Sequence, residues 1–231
     1  MSDTNVYHVP LRFKFIRPFL KTLFRGIFRT LARVKIIGKE NIPYGRPYVV
    51  AMNHVSIFDP PFVAAFWPEE LEIIGAIDVF DKPGQGPLLK LYGVIPVHRG
   101  DYDRPLLTKI IAMVKSGRPL LIAPEGARSH DTAMRRAKPG IAYIVEKTGA
   151  PVLPVALVGT TEDFWQRARR GEKPPLEMRI GKLISLPPIT AKGSDKHAAR
   201  QRNADLVMSY LAGLLPEEYR GAYAESVILS S

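Results

Sequence analysis

The chain has 231 residues, 46% hydrophobic and 24% charged, which suits one α/β domain with a sizeable core. It contains no cysteine, which excludes disulfides, thiolate catalysis and cysteine-ligated metals. The formal charge of +11 is uneven: residues 1–40 hold nine Lys/Arg and two acids, a net +7, while the rest holds 24 and 20. Charge gathered at one terminus, instead of over a folded face, argues against a nucleic-acid-binding domain.

In chain order, the first predicted element is a helix from Pro18 to about Arg33. Proline suits its first turn, and the length of ~24 Å follows from 1.5 Å per residue. Arg17, Lys21, Arg25, Arg29 and Arg33 recur every four positions, and Phe19, Leu20, Leu23, Phe24, Ile27, Phe28 and Leu31 fill the complementary arc. The segment is shorter than the ~20 apolar residues a span requires and is too charged to cross a bilayer. A basic face opposite an apolar face predicts a helix lying in the membrane interface, drawn to anionic headgroups. Packing of its apolar face on the domain, or an organelle transit role, are the competing readings.

Tyr48–Asn53 reads as a strand leading into Asn53-His54-Val-Ser56-Ile-Phe-Asp59-Pro60. Ser56 and Asp59 have capping-box spacing, so a helix should start near Ser56 with the Asp59 carboxylate aimed back at His54. A histidine base and a carboxylate to orient it are the minimum kit for taking a proton from an alcohol. Pro61–Trp67 continues as a short buried helix, and Glu72–Ala76 and Val94–His98 read as strands. Asp103 should cap a helix whose apolar face runs from Leu106 to Val114 and which Gly117 closes. Leu120–Ala123 is a strand, Ile141–Lys147 a helix ending at Gly149, and Val152–Val158 a strand. A helix near Glu162–Arg169, edge strands over Leu176–Leu186 and a helix over Asp195–Leu215 complete the pattern. Such alternation predicts an α/β fold with a mostly parallel mixed sheet flanked by helices, its charged motifs converging at strand ends.

Three later motifs accompany His54: Gly93-Val-Ile95-Pro96-Val-His98-Arg99, then Pro124-Glu125-Gly126-Ala127-Arg128-Ser129, then an apolar run around Pro154. With Asn-His-x-Ser-x-x-Asp at 53–59, this ordered series resembles the four blocks of the glycerolipid acyltransferases, the 1-acylglycerol-3-phosphate (lysophosphatidate) acyltransferase superfamily, over roughly residues 35–190. Ala123 and Ala127 stand where Phe and Thr are usual, and Ala137-Lys138-Pro139-Gly140 replaces the usual Phe-Lys-x-Gly. These changes point to a reshaped acceptor pocket.

The resemblance implies transfer of a fatty acyl group from acyl-CoA or acyl carrier protein to the free hydroxyl of 1-acylglycerol-3-phosphate, giving phosphatidic acid. It needs no cofactor or metal. His54 would act as general base and Asp59 would fix its tautomer. Arg99 and Arg128, with Lys138 as a third group, would bind the acceptor phosphate. Glu125 would hold either an acceptor hydroxyl or Arg128, and Gly126 would permit close backbone approach. Another lysolipid or amino-lipid acceptor, or thioester hydrolysis, is the alternative. His98 and His130 read as loop residues, and the Trp165, Arg167, Arg169, Arg170 and Lys173 cluster reads as a solvated helix face. On this view residues 1–36 anchor a catalytic domain, 37–231, to the cytoplasmic face of the cell membrane as a monotopic protein. Removing the first 34 residues should then leave a soluble domain.

Overall fold

The computed structural model describes residues 7–98 and 103–229. Its strands are β1 (Arg33–Ile37), β2 (Val49–Met52), β3 (Glu72–Ala76), β4 (Ile95–Val97), β5 (Leu120–Ile122), β6 (Val152–Val158) and β7 (Pro175–Ile180). The α-helices are α1 (Leu11–Leu31), α2 (Asp59–Phe66), α3 (Gln85–Tyr92), α4 (Arg104–Lys115), α5 (Gly140–Thr148), α6 (Phe164–Arg169) and α7 (Gly193–Leu214). The strands form one sheet in the order β1-β7-β6-β2-β5-β3-β4. Every pairing is parallel except β6 with β7.

Central strand β2 is buried along its whole length, as a parallel strand covered on both faces must be. Its alternate residues feed two cores. Val49 and Ala51 join side chains of α4, α5 and α7, and Val50 and Met52 join those of α1, α2 and α6. Asp103 caps α4 as its position predicts, accepting the Leu106 N–H at 2.9 Å.

The N-terminal segment departs from the sequence reading in three ways. Its helix begins at Leu11 and carries Pro18 in its interior. Pro18 is exposed, so the Lys14 carbonyl that its missing N–H leaves unpaired can meet water. The first three cations of the basic stripe face the domain, while Arg29 and Arg33 are exposed. Arg17 is 1% exposed and makes two 2.9 Å hydrogen bonds to the Glu72 carboxylate and a third, from Nε, to the Tyr92 carbonyl. Lys21 donates to the Pro68 carbonyl at 2.8 Å, and Arg25 to the Ala65 carbonyl in the last turn of α2 at 2.9 Å, where cations satisfy terminal carbonyls. The outward stripe is apolar: Leu11, Phe15, Phe19 and Leu23 are 72%, 78%, 66% and 45% exposed.

The third departure is β1, where the sequence reading has the end of a helix. Residues 33–37 pair in parallel with β7, Arg33 opposite Pro175 through Ile37 opposite Arg179. A boundary at residue 36 therefore falls inside a strand of the sheet, and α1 packs on α2 as part of the same body. Among the described residues no helix is long and apolar enough to cross a membrane.

Candidate active site

Because β2, β5 and β6 run parallel, the loops that leave their carboxyl ends emerge along one rim, the usual ligand-binding edge of such sheets. The first of these loops carries His54. Asn53 starts it by clamping β6: its Nδ2 donates to the Leu157 carbonyl at 2.9 Å and its Oδ1 accepts the Leu157 N–H at 2.7 Å. Asn53 thus closes the β2–β6 pairing with a side chain and fixes where the next residue points. Sequence reasoning placed Asn53 in the motif without giving it this task.

His54 is held on three sides. Its Nδ1 lies 2.8 Å from Asp59 Oδ2, its N–H donates to Glu125 Oε1 at 2.8 Å, and its carbonyl accepts the Ser129 N–H at 2.8 Å. The side chain is 19% exposed, whereas Asp59 is fully buried. Asp59 Oδ2 also accepts the N–H groups of Val55 and Ser56, each at 2.8 Å. Asp59 is the first residue of α2, where the positive end of a helix complements a carboxylate. The expected capping box is modified: α2 starts three residues later than Ser56, and the Ser56 hydroxyl accepts the Phe58 N–H at 3.2 Å. The Asp59 half of the motif remains. An ionised carboxylate only accepts, so Nδ1 must carry the imidazole proton and Nε2 presents the lone pair.

Glu125 and Gly126 lie in the turn after β5. Glu125 is 2% exposed and holds neither Arg128 nor open space. One oxygen takes the His54 N–H and the other the Arg135 N–H at 2.7 Å. It is a staple between the histidine loop and the loop leading to α5. Burial pushes its carboxyl up to about 7, outweighing the Arg135 and His54 N–H groups that lower it, with Asp59 adding to the rise.

A raised acid has a definite sign. An unfolded glutamate ionises near 4.5, so between there and about 7 the folded chain keeps a proton the unfolded chain has lost. That stability is complete below the lower value and disappears as pH rises through about 7, on the order of 3 kcal/mol in all. Glu125→Gln should remove this slope from urea-denaturation free energies measured between about pH 5 and about pH 8. An unchanged slope would assign it to another group.

Gly126 has φ +71°, a left-handed conformation glycine adopts freely, and a Cβ there would stand 3.2 Å from Lys138 Cγ. Lys138 is exposed, and its backbone N–H donates to the Pro124 carbonyl at 2.8 Å, which folds the loop back on itself. Arg128 is half-buried, next to the Ser129 that bonds His54. The Arg135 guanidinium reaches the Arg128 carbonyl at 3.4 Å, a further cation on this loop that sequence reasoning missed because no block contains it. The structure thus brings His54, Asp59, Glu125 and Gly126 together, with Arg128 and Lys138 on the same loop. Arg99 lies outside the described residues.

His130 is at the surface beside Glu162, and His98 is exposed. Arg167 pairs with Glu172 at 2.9 Å and Arg170 with Glu172 at 3.6 Å, while Trp165 stacks on Phe58, with ring centroids 6.4 Å apart. Arg167 and Arg170 of this cluster share the Glu172 carboxylate, and what faces the His54 loop is aromatic. Among the described residues no group of three or more His, Asp or Glu side chains is placed to hold a metal.

A carboxylate-held histidine at the ends of parallel strands is the arrangement that the resemblance to the acyltransferases implies. Residues 33–158 match the Acyltransferase family, and the chain belongs to it. It is 31% identical over 148 residues, 63% of its length, to a chloroplastic 1-acyl-sn-glycerol-3-phosphate acyltransferase of Brassica napus. The match covers 39% of that protein, so the chain spans well under two thirds of this relative. It is 26% identical over 195 residues to a lyso-ornithine lipid O-acyltransferase of Pseudomonas aeruginosa, covering 77% of this chain and 73% of that one. The 1-acyl-sn-glycerophosphate acyltransferase PlsC of Thermotoga maritima shares the fold, with a TM-score of 0.60 at 22% identity over 84% of this chain and 79% of that one.

Proposed function

We propose that the chain transfers a fatty acyl group from acyl-CoA or acyl carrier protein to the free hydroxyl of 1-acylglycerol-3-phosphate, giving phosphatidic acid. The observation that carries the reading is the 2.8 Å His54 Nδ1–Asp59 contact on a fully buried carboxylate. In the reaction the acceptor oxygen attacks the thioester carbonyl as His54 Nε2 takes its proton. The tetrahedral intermediate then collapses, the C–S bond breaks, and the imidazolium returns the proton to the leaving thiolate. Asp59 holds the ring and stabilises the transient imidazolium. Arg128 and Lys138, joined by Arg99, bind the acceptor phosphate, and Gly126 lets the loop backbone approach it.

The enzyme works at the cytoplasmic face of the cell membrane as a monotopic protein. The exposed Leu11, Phe15, Phe19 and Leu23 stripe supports this, because it would bury its area in the interface. The anchoring face is therefore this exposed stripe, while Leu20 and Phe28 pack into the core and Arg17, Lys21 and Arg25 serve the fold.

A second acceptor, a lyso-ornithine-type amino-lipid, is favoured by one relative's activity and by the small side chains at Ala123, Ala127 and Ala137. Comparing kcat/KM for lysophosphatidate and lyso-ornithine lipid with one acyl-CoA decides between the two. Arg128→Ala should raise KM for the phosphate acceptor by roughly tenfold or more, the scale of one lost charge-assisted bond, and leave KM for the donor near its starting value. Equal effects on both substrates would remove its assigned role.

A further inference from the structure

A groove of ≈ 670 Å³ lies along the β4 edge of the sheet, built by three parts of the chain. One wall is the N-terminal stretch through the first turn of α1, which lies ahead of the matched family region; another is α4. Its floor is apolar, with Phe13, Phe80, Val94 and Ala112. Gly93 makes the floor possible: it has φ +81°, and a Cβ there would come within 2.6 Å of the Phe13 ring. The rim is cationic. Arg12, Lys90 and Lys109 line it, all three are exposed, and no Asp or Glu lines it among the described residues. The groove takes Ile95 and Pro96 from β4, which stands three strand steps from β2, the strand that leads to His54, or ~14 Å at the usual inter-strand spacing.

We propose that this groove is an accessory site for an anionic phospholipid of the bilayer, apart from the His54 loop. An apolar floor under a rim of exposed cations matches a lipid phosphate above its first methylenes. The same turns of α1 that supply Arg12 and Phe13 turn Leu11 and Phe15 outward, so the groove would open at the level of the headgroups. The inference rests on the bilayer-facing reading of α1 given above. It would make membrane binding, and through it access to lipid substrates, respond to anionic lipid content.

The test compares binding of the full chain to phosphatidylcholine vesicles with and without phosphatidylglycerol. Lys90→Gln/Lys109→Gln should weaken the phosphatidylglycerol-dependent part about 30-fold, from the attraction per basic residue at a membrane surface. Thr108→Trp, at an exposed position lining the groove, should weaken it by filling the space with no change of charge. Both variants should keep wild-type binding to phosphatidylcholine and wild-type thiol release in detergent micelles. Wild-type phosphatidylglycerol binding by Thr108→Trp would overturn the site and leave only diffuse surface attraction. Displacement of the lipid by free coenzyme A would overturn it in favour of a donor subsite. Phe15→Ser/Phe19→Ser should lower binding to both vesicles, and if it lowers neither, the bilayer-facing reading of α1 fails independently of the groove.

Discussion

Replacing His54 by alanine is expected to lower acyl turnover by roughly 10²–10⁴-fold, the range supplied by a positioned general base. The fold should survive the change. His54 reaches the surface, and after its removal Asp59 Oδ2 keeps the Val55 and Ser56 N–H groups at 2.8 Å. The Glu125 staple grips the backbone N–H of residue 54, not the ring, so it too outlasts the substitution. Loss of thiol release with an unchanged urea midpoint is the expected pair of results. Turnover within about tenfold of wild type would mean that proton transfer is carried elsewhere, below the general-base range.

The second large effect is on stability. Arg17→Ala should cost about 3–5 kcal/mol, the penalty for removing one partner of a buried ion pair. Arg17 and Glu72 are each 1% exposed, and the arginine also satisfies the Tyr92 carbonyl. Arg118 remains on Glu72, which places the expected cost toward the lower end. Burial alone would raise the Glu72 carboxyl, yet Arg17 and Arg118 hold it below the usual range. The stability it contributes is thus present above the unfolded pKa and lost as pH falls through the lower folded one. Urea denaturation measures the cost directly, with exposed Lys14→Ala as a control within about 0.5 kcal/mol of wild type. A loss below about 1 kcal/mol, the size of a surface pair, would show that α1 is not tied into the core. The same contacts mean that removing residues 1–34 should yield an unfolded or insoluble product, because the cut takes away α1 and the start of β1.

Sequence pattern revealed what local chemistry controls. β3 and β6 have their predicted bounds, because buried strands read as apolar runs punctuated by proline and glycine. The His54–Asp59 pair was legible because five residues around a helix start determine its geometry. α1 shows the limit. Periodicity divides a helix into arcs but does not say which arc turns inward, and here the partners of Arg17, Lys21 and Arg25 lie 40 to 75 residues away in the chain. Glu125 was misread for the same reason, since its His54 partner is 71 residues distant. β1 was missed because Arg33 and Lys35 point out of an edge strand, where charge discourages edge pairing, and so continue the basic pattern of the preceding helix. A mostly parallel mixed sheet leaves room for an antiparallel strand, but nothing local to residues 175–180 marks β7 as that strand.

The most direct test of the central claim is thiol release by the purified chain with a long-chain acyl-CoA, with and without lysophosphatidic acid, while following the lipid product. Acceptor-dependent release accompanied by phosphatidic acid is the predicted result. Release at the same rate without acceptor would contradict it and make the chain a thioester hydrolase.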